Sequence, residues 1–193
     1  VPGARPVAIV GSETGSLFFD PHRLEQDRGQ IVNMMQMGDG AGAIILGSAA
    51  DAAASLEAMW FGSIGLGRAP GIQQHARRQE FDHDFAGIFQ HGPLLFDADV
   101  AAAVSLGWPL DNADLIIPHQ VSGRVKLQAS SHLRVSADRV FVNADRIGNT
   151  GSAAIWLALA ELRAGGLPTG AKVLALGAEA SKYLYGGFAY VHA

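Results

Sequence analysis

The sequence contains no cysteine. That excludes a disulfide framework, a thiolate zinc site and a thiol nucleophile carried by these 193 residues. Charge is also scarce. Lys and Arg total 14, Asp and Glu 18, and together they make 17% of the chain, against roughly 25% in an average domain. The net charge of -4 argues against non-specific nucleic-acid binding. No apolar run approaches the ~20 residues of a membrane span. The opening Val1-Pro2-Gly3-Ala4-Arg5-Pro6 lacks the apolar core of a signal peptide. A cytoplasmic protein with neither a nucleic-acid nor a membrane partner is the expectation. The low charge fits a surface covered by a partner, and it also fits a core rich in Ala and Gly.

What is present is 49% hydrophobic residues with 24 Gly and 8 Pro, ample for a core. Pro6–Val10 reads as a buried strand closed by Gly11. Residues 12–30 are polar, with Asp20-Pro21 as a turn. The apolar Ile31–Met37 leads into a glycine-rich turn, Gly38-Asp39-Gly40-Ala41-Gly42-Ala43, and a strand at Ile44–Leu46. Leu56–Ile64 is expected to pair with that strand. The polar stretch from Gly65 to Gly92, which holds His75, Arg77, Arg78, Glu80, Asp82, His83, Asp84 and His91, reads as a long loop or lid. Phe96–Leu106 has helical spacing, with Asp97 and Asp99 suited to its first turn.

The second half alternates strand and helix: Asp114–Ile117, Val121–Leu133, Arg139–Val142, Ser152–Arg163, Lys172–Leu176 and Gly187–Val191. This alternation predicts an α/β fold. Only about six strands are visible, and the first needs neighbours to be buried on both faces. The sheet is therefore expected to be completed by another polypeptide.

Two motifs carry candidate chemistry. Ile116-Ile117-Pro118-His119-Gln120 places a histidine at the carboxyl end of a strand, where ligands of α/β sheets gather. Arg146-Ile147-Gly148-Asn149-Thr150-Gly151 places an asparagine in a glycine-flanked turn at the next strand-to-helix corner. An N–H from each, aimed at one substrate oxygen, makes an oxyanion hole. A histidine after a strand also serves as a structural hydrogen-bonder. A Gly-Asn-Thr-Gly turn also forms because Asn tolerates the left-handed region. The residues alone leave both readings open. His75, His83 and His91 recur every eight residues, which suits neither helical nor strand metal ligands, so no metal is expected. Gly38, Gly40 and Gly42 precede a strand, which fails the dinucleotide fingerprint. Met34, Met35 and Met37 suit an acyl tunnel as well as a core.

With these motifs in order, the chain resembles the C-terminal half of the β-ketoacyl-acyl-carrier-protein synthase III family, condensing enzymes of the thiolase fold. The resemblance rests on Pro118-His119-Gln120, on Gly148-Asn149-Thr150 and the helix after it, on Gly38-Asp39-Gly40-Ala41-Gly42-Ala43, and on Val7-Ala-Ile-Val-Gly-Ser-Glu13. It implies that His119 and Asn149 stabilise the enolate of a decarboxylating malonyl thioester. The acyl group would be held by a cysteine that this chain does not contain. It implies that residues of about 1–47 end an N-terminal half-domain and about 48–193 form the C-terminal one. The other half would be a separate subunit, a cleaved piece or a portion outside this sequence, and such pairs would dimerise.

The resemblance also implies that Arg124, with Lys126, faces an acyl carrier protein or coenzyme A, whose thioester is the substrate and no further cofactor is needed. Solvated helix charges are the competing reading of that pair. Gln120 and Ser122 fall where the family contacts pantetheine, although here the run is His119-Gln120-Val121-Ser122 instead of His-Gln-Ala-Asn. Glu179 and Lys182 are unusual beside an uncharged thioester and suit a polar acceptor, or a salt-bridged loop. Two further functions stand beside condensation: a non-catalytic subunit stabilising an active partner, and an ester- or amide-forming acyltransferase.

Overall fold

Val173-Leu-Ala-Leu176 is apolar on both faces, and such a strand belongs inside a sheet covered on both sides. The computed structural model, which describes residues 5–47, 54–75 and 80–193, puts it there. In chain order the elements are β1 (Val7–Thr14), α1 (Pro21–Gln26), α2 (Ile31–Gln36), β2 (Asp39–Leu46), β3 (Ala54–Ser63), β4 (Ile72–His75), β5 (Glu80–His83), α3 (Phe85–Ser105), β6 (Leu115–Pro118), α4 (Val125–Leu133), α5 (Ala144–Ile147), α6 (Ala154–Ala164), β7 (Lys172–Glu179) and β8 (Leu184–His192). The main sheet has the order β3-β8-β7-β6. β6 and β7 are parallel and the other pairs antiparallel.

Strand side chains alternate between faces, and the two cores follow that alternation. Ile117, Val173, Ala175 and Phe188 pack with Ala158 and Leu159 of α6. Ile116, Leu174, Leu176 and Ala189 pack with Ala103 of α3, backed by Trp60, Phe96 and Trp108. The expected α/β architecture is therefore present, as a sheet layered between helices.

β1 and β2 form a separate antiparallel ribbon, in register from Val7↔Leu46 to Thr14↔Asp39. It lies against the start of α6 by close backbone approach. A Cβ on Gly11 would stand 2.2 Å from the Ser152 carbonyl oxygen, and one on Gly42 would stand 2.7 Å from the Trp156 Cβ. Trp156 also stacks on Phe188 of β8, with centroids 5.2 Å apart and planes 6° from parallel. Thus α6 touches both sheets.

Several expectations need correction. β1 forms but is not buried: Val7 and Val10 are 57% and 67% exposed, because β2 is its only strand neighbour among the described residues. β3 pairs with β8, not with β2. The segment from 65 to 92 is not one loop. It holds the antiparallel β4–β5 ribbon and the start of α3. Arg77 and Arg78 lie outside the described residues, as do positions 48–53 at the expected half-domain boundary.

α3 starts at Phe85, capped by Asp84, whose Oδ1 accepts from the Gly87 N–H at 2.9 Å. Asp97 and Asp99 are therefore mid-helix. Gly92-Pro93 reads as a helix breaker, yet Pro93 sits exposed inside the helix. α4 begins at Val125 rather than Val121, because Gly123 turns close beneath Asp145, where a Cβ would stand 2.8 Å from the Asp145 Cβ. Arg139–Val142 contributes one bridge, Ile116↔Val140, and no strand.

Asp99 is the buried charge of the α3 layer. It is fully enclosed, and its Oδ1 accepts from the Trp60 indole N–H at 2.7 Å. Burial pushes its carboxyl up to about 7, against the lesser opposing pull of that hydrogen bond. Between the ordinary carboxylate range and about 7 the folded chain holds a proton that the unfolded chain has released. Stability therefore falls as pH rises through that window and levels off above it. Asp99→Asn is expected to flatten this slope and to gain a few kcal/mol over the parent at pH 8. Urea unfolding at pH 5 and pH 8, followed by tryptophan fluorescence, measures it.

Candidate active site

His119 leaves the sheet at the end of β6. Pro118 pairs with Leu176, and the His119 N–H donates to the Leu176 carbonyl at 2.6 Å, so the backbone under the ring is fixed to β7. The ring has no hydrogen-bond partner among the described residues and is partly exposed. Desolvation lowers its pKa below the usual histidine value, and the charge of Glu179 opposes that shift in part. At neutral pH the imidazole is neutral, with one N–H to donate.

Asn149 follows α5 and Gly148, whose φ of +73° favours glycine. Its backbone is clamped to the chain between α2 and β2. The Asn149 N–H donates to the Gln36 carbonyl at 2.6 Å, and the Gly38 N–H donates to the Asn149 carbonyl at 2.9 Å. The approach is close, since a Cβ on Gly38 would stand 2.0 Å from the Ile147 carbonyl oxygen. The Asn149 side-chain Oδ1 accepts from the Gly151 N–H at 3.0 Å. This orients the amide and leaves Nδ2 as its donor. His119 thus stands at the carboxyl end of β6 and Asn149 in the turn between α5 and α6, each on a pinned backbone.

Beside them lies a groove of about 580 Å³ lined by Ile31, Val32, Met35, Gln36, Ser122, Gly123 and Arg124. Two expected binding residues, Ser122 and Arg124, come together in it. Lys126 does not line it: it sits exposed on α4, in the field of Asp138. Glu179 is exposed at the end of β7, where its carboxylate accepts from the Ser181 N–H at 2.7 Å and the Ser181 hydroxyl at 2.5 Å. Lys182 donates to the Arg68 carbonyl at 3.3 Å, so it does not pair with Glu179.

Gln120, expected to touch substrate or carrier, is instead fully buried, with its Oε1 accepting from the N–H groups of Asn143 and Ala144. Among the described residues no group of three or more His, Asp or Glu side chains is placed to hold a metal. His83 stacks on Phe85, and His91 meets Tyr183 edge-on. No helix among them is long and apolar enough to cross a membrane.

Residues 104–187, which include both His119 and Asn149, match the family model of the 3-oxoacyl-[acyl-carrier-protein] synthase III C terminal. The solved 3-oxoacyl-(acyl carrier protein) synthase III of Pseudomonas aeruginosa superposes with a TM-score of 0.78 at 28% identity, over 97% of this chain and 57% of that one. This chain has the fold of the C-terminal half of that synthase III. A β-ketoacyl-[acyl-carrier-protein] synthase III of Caldanaerobacter subterraneus is 28% identical over 177 residues, 84% of this chain and 51% of the relative. The tetronic acid condensing enzyme AbyA1 is similar at 27% identity, with a TM-score of 0.78 over 97% of this chain and 57% of that one. The chain spans about half the length of the curated relatives it matches.

Sequence pattern alone misses the α2 side of the groove. Ile31, Val32 and Gln36 carry no local mark of a site, since an amphipathic six-residue helix reads as ordinary core. It also misses Asn143, Arg146 and Glu161, which join across elements. Asn143 Nδ2 donates to Glu161 Oε2 at 2.9 Å, and the Arg146 guanidinium pairs with the other Glu161 oxygen. No spacing rule links residues 15 and 18 apart on different helices.

Proposed function

We propose that this chain supplies the oxyanion-stabilising half of a decarboxylative acyl-condensing site. A cysteine outside these residues, on a joined or a separate polypeptide, carries the acyl group as a thioester. A malonyl thioester then loses carbon dioxide: the bond from carboxylate to α-carbon breaks, and its electron pair forms an enolate. His119 and Asn149 donate to the enolate oxygen, which carries more charge in the transition state than the thioester carbonyl does in the substrate. The α-carbon attacks the acyl carbonyl, a carbon–carbon bond forms and the cysteine thiolate leaves. The product is a β-ketoacyl thioester.

The observation that carries this reading is the pair of donors on pinned backbones, one a neutral imidazole at the end of β6 and one an amide with its oxygen already engaged. The groove bearing Ser122 and Arg124 suits the phosphopantetheine arm and phosphate of an acyl carrier protein or coenzyme A. In this reading the apolar faces of the β1–β2 ribbon dock the cysteine-bearing half, and two such pairs make a dimer.

One observation favours a second reading. The Glu179 charge reaches His119 and suits an amine or alcohol acceptor, which would make an amide or ester. A third, structural subunit reading treats both donors as inert.

A single experiment separates the three. The chain is assayed alone and together with a cysteine-bearing synthase III N-terminal half, with an acyl thioester plus malonyl thioester, and again with an amine. Turnover to the β-ketoacyl product only in the mixture is expected. An amide product supports the second reading. Turnover by the chain alone sinks the cysteine argument.

A further inference from the structure

The end of β6 that bears His119 and the turn that bears Asn149 are joined through α5 by a polar linkage, buried at Gln120 and Asn143 and half-exposed at Glu161, that lies apart from the groove. Gln120, the residue after His119, is fully buried and points its side chain across to α5. Its Oε1 accepts from the N–H groups of Asn143 at 2.8 Å and Ala144 at 2.9 Å. These are the first donors of a four-residue helix whose own N-cap side chain makes no capping bond. So a side chain 23 residues away in sequence does the capping that Asn143 does not do for α5.

Asn143 is free for another task, and its Nδ2 donates to Glu161 Oε2 at 2.9 Å. The second Glu161 oxygen takes the Arg146 guanidinium from the last turn of α5. Both ends of α5 therefore grip α6, while Gln120 ties its start to His119. Gly148 and Asn149 follow directly.

The geometry points to Gln120, Asn143 and Glu161 as positioning residues that fix Asn149 relative to His119. None of the three lines the groove. Two donors stabilise one oxygen only if their separation is held to a fraction of an ångström. A linkage that sets this separation acts on the chemical step and leaves ground-state binding alone. The consequence for rate rests on the condensing function proposed above, whereas the consequence for rigidity does not.

The test uses Gln120→Leu, which removes the acceptor at similar size, Gln120→Glu, which keeps an acceptor oxygen, and Glu161→Gln, at a side chain 38% exposed and so tolerant of change. Amide hydrogen exchange of this chain is read at Asn143, Ala144, Asn149 and Gly151 against Leu174 in β7. Rates are read in the cysteine-bearing complex.

The expected result is exchange about tenfold faster at those four amides, with Leu174 unchanged, in Gln120→Leu and Glu161→Gln. The expected kcat loss is about 10- to 100-fold with KM within about twofold, and Gln120→Glu recovers most of both. Exchange that rises equally at Leu174, or exchange at those four amides unchanged in Glu161→Gln, overturns the proposal. If the complex is inactive from the start, condensation fails as a function while the exchange readout still decides the linkage.

Discussion

Asn149→Ala, assayed as decarboxylation of a malonyl thioester by the cysteine-bearing complex, is expected to lower kcat about 10²- to 10³-fold, the usual consequence of removing one oxyanion donor. His119→Ala is expected to fall by a similar factor. Neither change should unfold the chain. The His119 ring makes no hydrogen bond to the described residues. The Asn149 side chain makes one local bond, to the Gly151 N–H, while its backbone clamps to Gln36 and Gly38 stay in place. The double variant should lose less than the product of the two factors, because donors to one oxygen act as a unit. Acyl transfer from donor thioester to the cysteine is a different step, and the enolate-stabilising role of Asn149 predicts that it is spared in Asn149→Ala. If both single variants retain full condensation, the two side chains are inert and the structural-subunit reading stands.

Gly38→Ala is expected to be the most damaging one-carbon change near the site. The added Cβ would meet the Ile147 carbonyl oxygen at 2.0 Å and its carbon at 3.1 Å. Both are backbone, so relief requires moving the Asn149 turn away from the chain between α2 and β2. That motion breaks the Gly38–Asn149 and Asn149–Gln36 backbone bonds together. A cost of about 2–4 kcal/mol fits the range for backbone strain with lost buried hydrogen bonds. An ångström of displacement at Asn149 adds about 10²-fold in kcat. Thermal melting and turnover are measured beside Gly47→Ala, where a Cβ meets nothing within 4 Å. The argument is wrong if the two variants melt at the same temperature.

His119 and Asn149 were easier to single out in the sequence as candidates than any strand pairing of the sheet. His119 and Asn149 stand out because each sits in a short local motif whose chemistry is carried by the residue and its immediate turn. The partner of β3 was not legible, because pairing with β8 spans more than a hundred residues and Leu56–Ile64 has no feature that names a neighbour. Arg139–Val142 looked like a strand because it is apolar and β-branched. The Asn143 N–H that would extend its pairing goes instead to the Gln120 side chain. Gln120 was misassigned for the same reason: the motif marks it as special without saying which way it points. The expected helix began only at Phe96 because the true start signal, Asp84, lies in a polar stretch that masks a helix cap.

Trp156 has a wider consequence. Its Cβ sits over Gly42 of the ribbon, and its indole lies flat on Phe188 of the main sheet. The helix that bears it starts five residues after Asn149. Ribbon, sheet and the Asn149 turn therefore share one axle, with no flexible joint between them along α6. A body built this way cannot let the ribbon drift while the turn stays still. The outer faces of β1 and β2 are a rigid handle, so whatever grasps the ribbon also takes hold of Asn149.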